Sequence, residues 1–202
     1  AQPKRNIVED VYKFIKLDLE YAIENLPETS AKKGYVNKTV AMGILAKVHL
    51  TLNEYTACAS LTQQIIGKQY TLIQDYGNLF SSPENNNSNE SMFALQWKAI
   101  ATEWGTQNTN QAYIVPGGTG ITGGGDGWGV YLPSISLQNG FEPKDSRKKS
   151  TIMTDGDFYP ELLKNQGGFL YKKIYSSTAA NFRKYIVGSA AERNDVFFMR
   201  TS

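Results

Sequence analysis

The chain has 202 residues, with 21 Lys and Arg against 19 Asp and Glu, a net charge of +2, and 41% hydrophobic residues. That size supports a real core within one domain. The mixed charges, with no basic block longer than Arg147-Lys148-Lys149, argue against nucleic acid as a partner. No run of about 20 apolar residues is present to span a membrane. One cysteine and one histidine are too few for an internal disulfide or a zinc site of the usual His/Cys kind. Residues 1–5 (AQPKR) contain no apolar stretch of the signal-peptide type, which leaves the compartment open.

The first element is an amphipathic helix. Asn6 with Glu9 three residues later makes a capping-box-like start. Val8, Val11, Ile15, Leu19, Ala22, Ile23 and Leu26 follow at helical spacing, and Pro27 ends the run. The central stretch then reads as two helices joined by a tight turn. Ala41, Ile44, Leu45, Val48 and Leu52 form one apolar stripe. After Asn53-Glu54 the pattern restarts with Tyr55, Cys58, Ala59, Leu61, Ile65 and Ile66, and Gly67 stops it. Small residues among the large ones (Ala41, Gly43, Ala46, Cys58, Ala59) permit close approach of the two helices, the build of a tetratricopeptide-like pair. Cys58 reads as a buried small residue and His49 as a half-buried structural histidine, since no nucleophile-activating motif surrounds either.

The register changes after Gly67. Residues 70–73 are short and extended, and residues 75–80 form one helical turn or a compact loop. Residues 81–89 are an Asn-rich solvated loop. MFALQW (92–97) reads as a strand with Phe93, Leu95 and Trp97 on one face. From 99 to 140 the regular patterns vanish. Trp104, Tyr113, Trp128 and Tyr131 are scattered among glycines and amides. A long loop region in a compact domain is functional or disordered, and disordered segments are poor in aromatics, so this one reads as an ordered functional loop. Its glycines match neither GxxxxGK[ST] nor a strand-bounded GxGxxG, so phosphate cradling is not indicated, and no cofactor is implied. Flat aromatic faces beside amides and carboxylates suit a sugar: the C–H face of a pyranose covers a ring and its hydroxyls need donors and acceptors. Trp104, Tyr113, Trp128 and Tyr131 are therefore the candidate stacking faces, with Gln107, Asn108 and Asp126 as hydroxyl partners. Trp97 reads as core.

In the last third, Asp155, Asp157 and Glu161 cluster around Gly156. They lack the full calcium-loop spacing, so a turn with solvated carboxylates is expected. Residues 169–175 and 182–187 are candidate strands or extended arms, and residues 196–200 (VFFMR) are an apolar segment after which a further element is expected.

In order along the chain, DVYKFIKLDLEYAIENLP (10–27), GYVNKTVAMGILAKVHL (34–50), YTACASLTQQII (55–66), YTLIQDYGNLF (70–80), NESMFALQW (89–97), FEPKDSR (141–147), KY (184–185) and NDVFFMR (194–200) resemble the SusD/RagB family of outer-membrane nutrient-binding lipoproteins of Bacteroidetes. The resemblance covers the family's middle portion. It implies a mainly α fold, a tetratricopeptide-like helical scaffold decorated by long loops and a few short strands. It implies a non-enzymatic protein that binds oligosaccharide or polysaccharide at the cell surface and passes it to a SusC-like TonB-dependent outer-membrane porin. The family's signal, lipidated cysteine, first helical segment and closing helical region have no counterpart in these 202 residues, so the expectation is a truncated chain whose longer parent carries the lipid anchor. Family binding residues have no fixed motif, so no residue role is carried over.

The expected organisation is a helical scaffold over 1–80 and a loop-rich, short-strand ligand-binding part of the same domain over 81–202. Two other functions fit parts of the pattern. Three amphipathic helices would also suit a module binding a protein or peptide in a groove. A glycoside hydrolase would need two facing carboxylates, for which Asp126, Asp145, Asp155 and Asp157 are the default candidates.

Overall fold

The computed structural model describes residues 4–32, 34–81, 87–95, 113–121, 127–186 and 199–200. It is mainly helical with a few short strands. The chain divides into two compact units: residues 1–72 with 89–95 and 200–202, and residues 73–88 with 96–199.

In the first unit, α1 spans Val8–Asn25. Its N-cap is Ile7, without a side-chain cap, so the capping box expected at Asn6 does not form: the helix starts one residue later than that motif requires. Pro27 acts as expected. Leu26 before it is extended, as a following proline demands. Ile15, Leu19, Ala22, Ile23 and Leu26 are half-buried along one face, whereas Val8 and Val11 of the expected stripe are exposed. Val11, Phe14, Leu17 and Tyr21 make a second, exposed apolar stripe on this helix.

Helix α2 (Lys38–Thr51) starts at Asn37, whose Oδ1 accepts from the Val40 N–H at 3.0 Å. It contacts both α1 and α3 (Tyr55–Ile65). A helix covered on two sides buries two flanks rather than one stripe: Val40, Ala41, Met42, Leu45 and Ala46 are buried, while Ile44 is exposed. Gly43 faces Met92, whose Cε would stand 2.7 Å from an added Cβ, so its smallness serves that contact. Asn53 turns the chain at φ 60°, and Gly67 stops α3 at φ 80°. Cys58 is free and half-buried. Glu54 sits where the three helices meet, ion-paired to Lys16 of α1 at 3.0 Å and to His49 of α2. Hydrogen bonds from His49, then from Lys16, hold its carboxyl below the ordinary value of 4.5. A short strand, β1, covers Ala94–Leu95; Ala94 is buried and Phe93 half-buried, and Trp97 lies outside the described residues.

The second unit is built from short pieces. One helical turn covers Asn78–Ser81, as expected for this stretch. Strand β2 (Ile152–Thr154) pairs antiparallel with β5 (Ala180–Phe182), Met153 opposite Asn181. Strand β3 (Phe158–Tyr159) pairs antiparallel with β4 (Phe169–Leu170). The extended arm expected over 169–175 is thus a two-residue strand followed by a 3-10 turn at Lys173–Tyr175. The arm expected over 182–187 is displaced: the strand ends at Phe182, and the Ile186 N–H folds back to the Arg183 carbonyl at 3.3 Å. Of the apolar segment 196–200, Met199–Arg200 is a short strand and the rest lies outside the described residues.

These pieces close over Ile114, Val115, Ile121, Met153, Tyr159, Leu162, Phe169, Tyr171 and Ile186. Two buried tyrosines satisfy their hydroxyls inside this core. Tyr171 donates to Asn181 Oδ1 at 2.7 Å, and Tyr159 donates to the Lys149 and Ile152 carbonyls at 3.1 and 3.3 Å. Burial pushes Tyr171 up to about 12 and Tyr159 higher still, so both remain donors at neutral pH. Arg183 is buried beside them, 4% exposed. Its guanidinium donates to the Ile186 carbonyl and to Glu161 Oε1, both at 2.7 Å, and lies 5.4 Å from the Tyr159 ring centroid.

The turn around Gly156 carries carboxylates, and each has a structural task. Asp157 accepts from the Thr154 N–H and hydroxyl at 2.7 and 2.8 Å. Asp155 accepts from the Lys173 N–H at 2.8 Å. Among the described residues, no group of three or more His, Cys, Asp or Glu is placed to hold a metal ion, and no helix is long and apolar enough to cross a membrane.

Candidate functional site

Three of the aromatic residues singled out in the glycine-rich region come together. The buried run Ile114-Val115-Pro116 anchors the segment that carries Tyr113. Residues 127–131 lie along it: the N–H groups of Val130 and Tyr131 both donate to the Tyr113 carbonyl, at 2.8 and 3.0 Å. Glycine suits the backbone here: Gly129 has φ 55°, in the left-handed region, while a Cβ on it would make only ordinary contact with Gly117 N, Pro116 Cα and Val115 O, each at 3.4 Å.

The result is an aromatic cluster. Tyr113 is half-buried at its centre. Tyr131 stacks on it with ring centroids 4.9 Å apart and an interplanar angle of 22°. Trp128 meets it edge-on at 4.9 Å and 71°. The outer members stay accessible, Trp128 at 58% and Tyr131 at 51% exposure, with Val130 exposed between them. Two of the three rings are more than half exposed, and both pack against the half-buried third. Trp104, Gln107, Asn108 and Asp126 lie outside the described residues.

The neighbouring chain is more regular than its sequence suggested. A short helix covers Ile135–Asn139, opened by Ser134, whose Oγ accepts from the Leu137 N–H at 3.1 Å. Gln138 of this helix donates to the Pro133 and Thr178 carbonyls at 3.2 and 3.0 Å, tying it to the rest of the unit. The Ser134 cap was the available signal, obscured by the irregular sequence before it. Further along, the FEPKDSR stretch is locked by Asp145, which accepts from the Arg147 guanidinium at 2.7 Å; that hydrogen bond holds the Asp145 carboxyl below its ordinary value.

Comparison with known proteins identifies the kind of molecule. A "SusD-like protein" of Bacteroides ovatus is 33% identical over 203 residues, covering 94% of this chain and 36% of that protein. A solved structure determined with a xylogluco-oligosaccharide superposes with a TM-score of 0.81 at 30% identity, covering 97% of this chain and 41% of that one. This chain is SusD-like over nearly its whole length. Surface glycan-binding protein A from Bacteroides thetaiotaomicron, solved with laminarihexaose, shares the fold, with a TM-score of 0.68 at 20% identity over 95% of this chain and 46% of that one. No family model matches the chain. The SusD-like chain spans less than half the length of each of these relatives.

Proposed function

We propose that this SusD-like chain is part of a cell-surface glycan-binding protein, and that it holds oligosaccharide against the Tyr113, Trp128 and Tyr131 cluster. The observation that carries the reading is the pair of exposed rings fixed by a third on a glycine-shaped loop. It is joined by the likeness to a structure determined with a xylogluco-oligosaccharide. Trp104 supplies a further stacking face, and Gln107, Asn108 and Asp126 hydrogen-bond sugar hydroxyls. In this reading residues 1–80 serve as scaffold and residues 81–202 as the binding part.

The role is binding without bond cleavage. Three of the four carboxylates considered for a hydrolase are engaged locally, Asp145 with Arg147, Asp155 with the Lys173 N–H, and Asp157 with Thr154, and the fourth, Asp126, lies outside the described residues. Delivery of the bound glycan to a SusC-like TonB-dependent outer-membrane porin, and lipid anchoring of the longer parent, complete the proposal on the family resemblance alone. A polysaccharide panel that includes xyloglucan and laminarin tests the core of it, with affinity gels for binding and a reducing-sugar assay for product. Retardation with no new reducing ends is expected. Release of reducing sugar, or no retardation by any glycan, would overturn it.

A further inference from the structure

A second hollow lies in the same unit, with no lining residue in common with the aromatic cluster. It has a volume of about 450 Å³, and its lining includes Phe158, Glu161, Arg183, Lys149, Ser150 and Asp75. That volume falls within the range of small-molecule sites, roughly 300–1,000 Å³.

Phe158 is the informative member. On β3 it alternates with Tyr159, so Tyr159 points into the core while Phe158 points out and stays 45% exposed. Its ring rests on Gly168: a Cβ there would stand 2.5 Å from Phe158 Cζ and 2.8 Å from Cε2. Gly168 also has φ 105°, a conformation other residues rarely adopt. The Cζ–Cε2 edge of the ring is thus held close to bare backbone, which sets its position.

The charges that line the hollow are balanced. Lys149 and Arg183 offset Asp75 and Glu161. Both Arg183 terminal nitrogens are already engaged, one with Glu161 and one with the Ile186 carbonyl, Lys149 lies 5.6 Å from the Tyr159 ring centroid, and Asp75 Oδ1 accepts the Gly77 N–H at 2.9 Å. An anion meets no net positive charge here. A neutral, hydroxyl-rich ligand gains carboxylate acceptors, a serine hydroxyl and an ammonium donor around one flat apolar face.

We propose that this hollow is a second carbohydrate site, taking a neutral sugar ring on Phe158 with its hydroxyls directed to Glu161, Lys149 and Ser150. The proposal rests on the glycan-binding reading for its choice of probe. It is tested by titrating the isotope-labelled chain with a xylogluco-oligosaccharide and, separately, with laminarihexaose, following the backbone amides of Phe158 and Gly168 and those of Trp128 and Gly129 as two sets. Movement of both sets with one of the probes is expected. Phe158→Ala then weakens binding read at the Phe158 set by about fivefold or more, the loss of one stacking face, and leaves the Trp128 set within about twofold. Phe158→Tyr, which keeps the ring, retains the Phe158 response and guards against a variant that fails to fold. If only the Trp128 set moves, the second site is overturned and the glycan-binding reading stands. If only the Phe158 set moves, the second site is supported and the Trp128 assignment falls. If neither moves, both are overturned.

Discussion

The helical unit and the loop-rich unit are held together differently. In the first, one helix supplies most of the buried side chains: α2 buries Thr39, Val40, Ala41, Met42, Leu45 and Ala46, α3 adds Ile65, and α1 contributes only half-buried positions. Its helices pack mainly on their neighbours in sequence, α1 on α2 and α2 on α3, and two carboxylates tie them by charge: Glu54 to Lys16 and His49, and Glu28 to Lys38 and Lys68. In the second, the core draws on residues from Ile114 to Ile186 carried by strands of two or three residues and by turns. Local periodicity organises the first; long-range packing of aromatic and aliphatic side chains organises the second, and the exposed aromatic rings are attached to it. Regular structure is therefore no guide to where the proposed recognition surface lies.

The largest way to break this contrast is Tyr171→Ala. Tyr171 is fully buried and its hydroxyl holds Asn181. About 3–5 kcal/mol should be lost, read as a shift of the denaturant midpoint, with the near-ultraviolet dichroism of the second unit's aromatics collapsing first. Gly129→Ala comes next. The left-handed φ predicts a loss of about 1–2 kcal/mol, accompanied by altered Trp128 amide and indole resonances. A substitution that left both unchanged would show that the cluster does not depend on the left-handed backbone at Gly129. In the helical unit, Asn37→Ala removes the α2 cap and should cost about 1 kcal/mol by thermal melting.

The smallest effect is a pH dependence. Glu54 has a folded pKa below 4.5, so its contribution is present above pH 4.5 and is lost as pH falls through the depressed folded value. Glu28, lowered by Lys38 and then Lys68, acts in the same direction. Stability should therefore fall on the acid side of pH 4.5, and Glu54→Gln should flatten that limb in urea titrations at stepped pH. An unchanged slope would mean that the junction of the three helices contributes nothing to acid stability.

The same contrast governs what could be read from the sequence. The three helices were legible because Ile15, Leu19 and Ile23, or Ala41 and Leu45, repeat at the helical period, and because Pro27 and Gly67 punctuate them. The finer errors were local. The cap at Asn6 gave way to Ile7, and Ile44 proved exposed because α2 is covered from two sides. In the second unit the strands were too short to show period two, and the displaced strand at Ala180–Phe182 depends on pairing with β2, nearly thirty residues earlier. Of the site, the composition singled out Tyr113, Trp128 and Tyr131, and the structure assembles them. Phe158 escaped notice because nothing in its sequence neighbourhood shows that Gly168 lies beneath its ring.

The exposed rings are proposed to bind glycan while the core beneath them only positions them. Calorimetric titration of the chain and of Trp128→Ala with the polysaccharide retained most strongly in the affinity gels tests it directly. The account predicts a loss of affinity of about fivefold to thirtyfold, that is about 1–2 kcal/mol, with the melting temperature nearly unchanged because Trp128 is 58% exposed. Equal affinity of the two proteins, with the substitution verified and the fold intact, would contradict it.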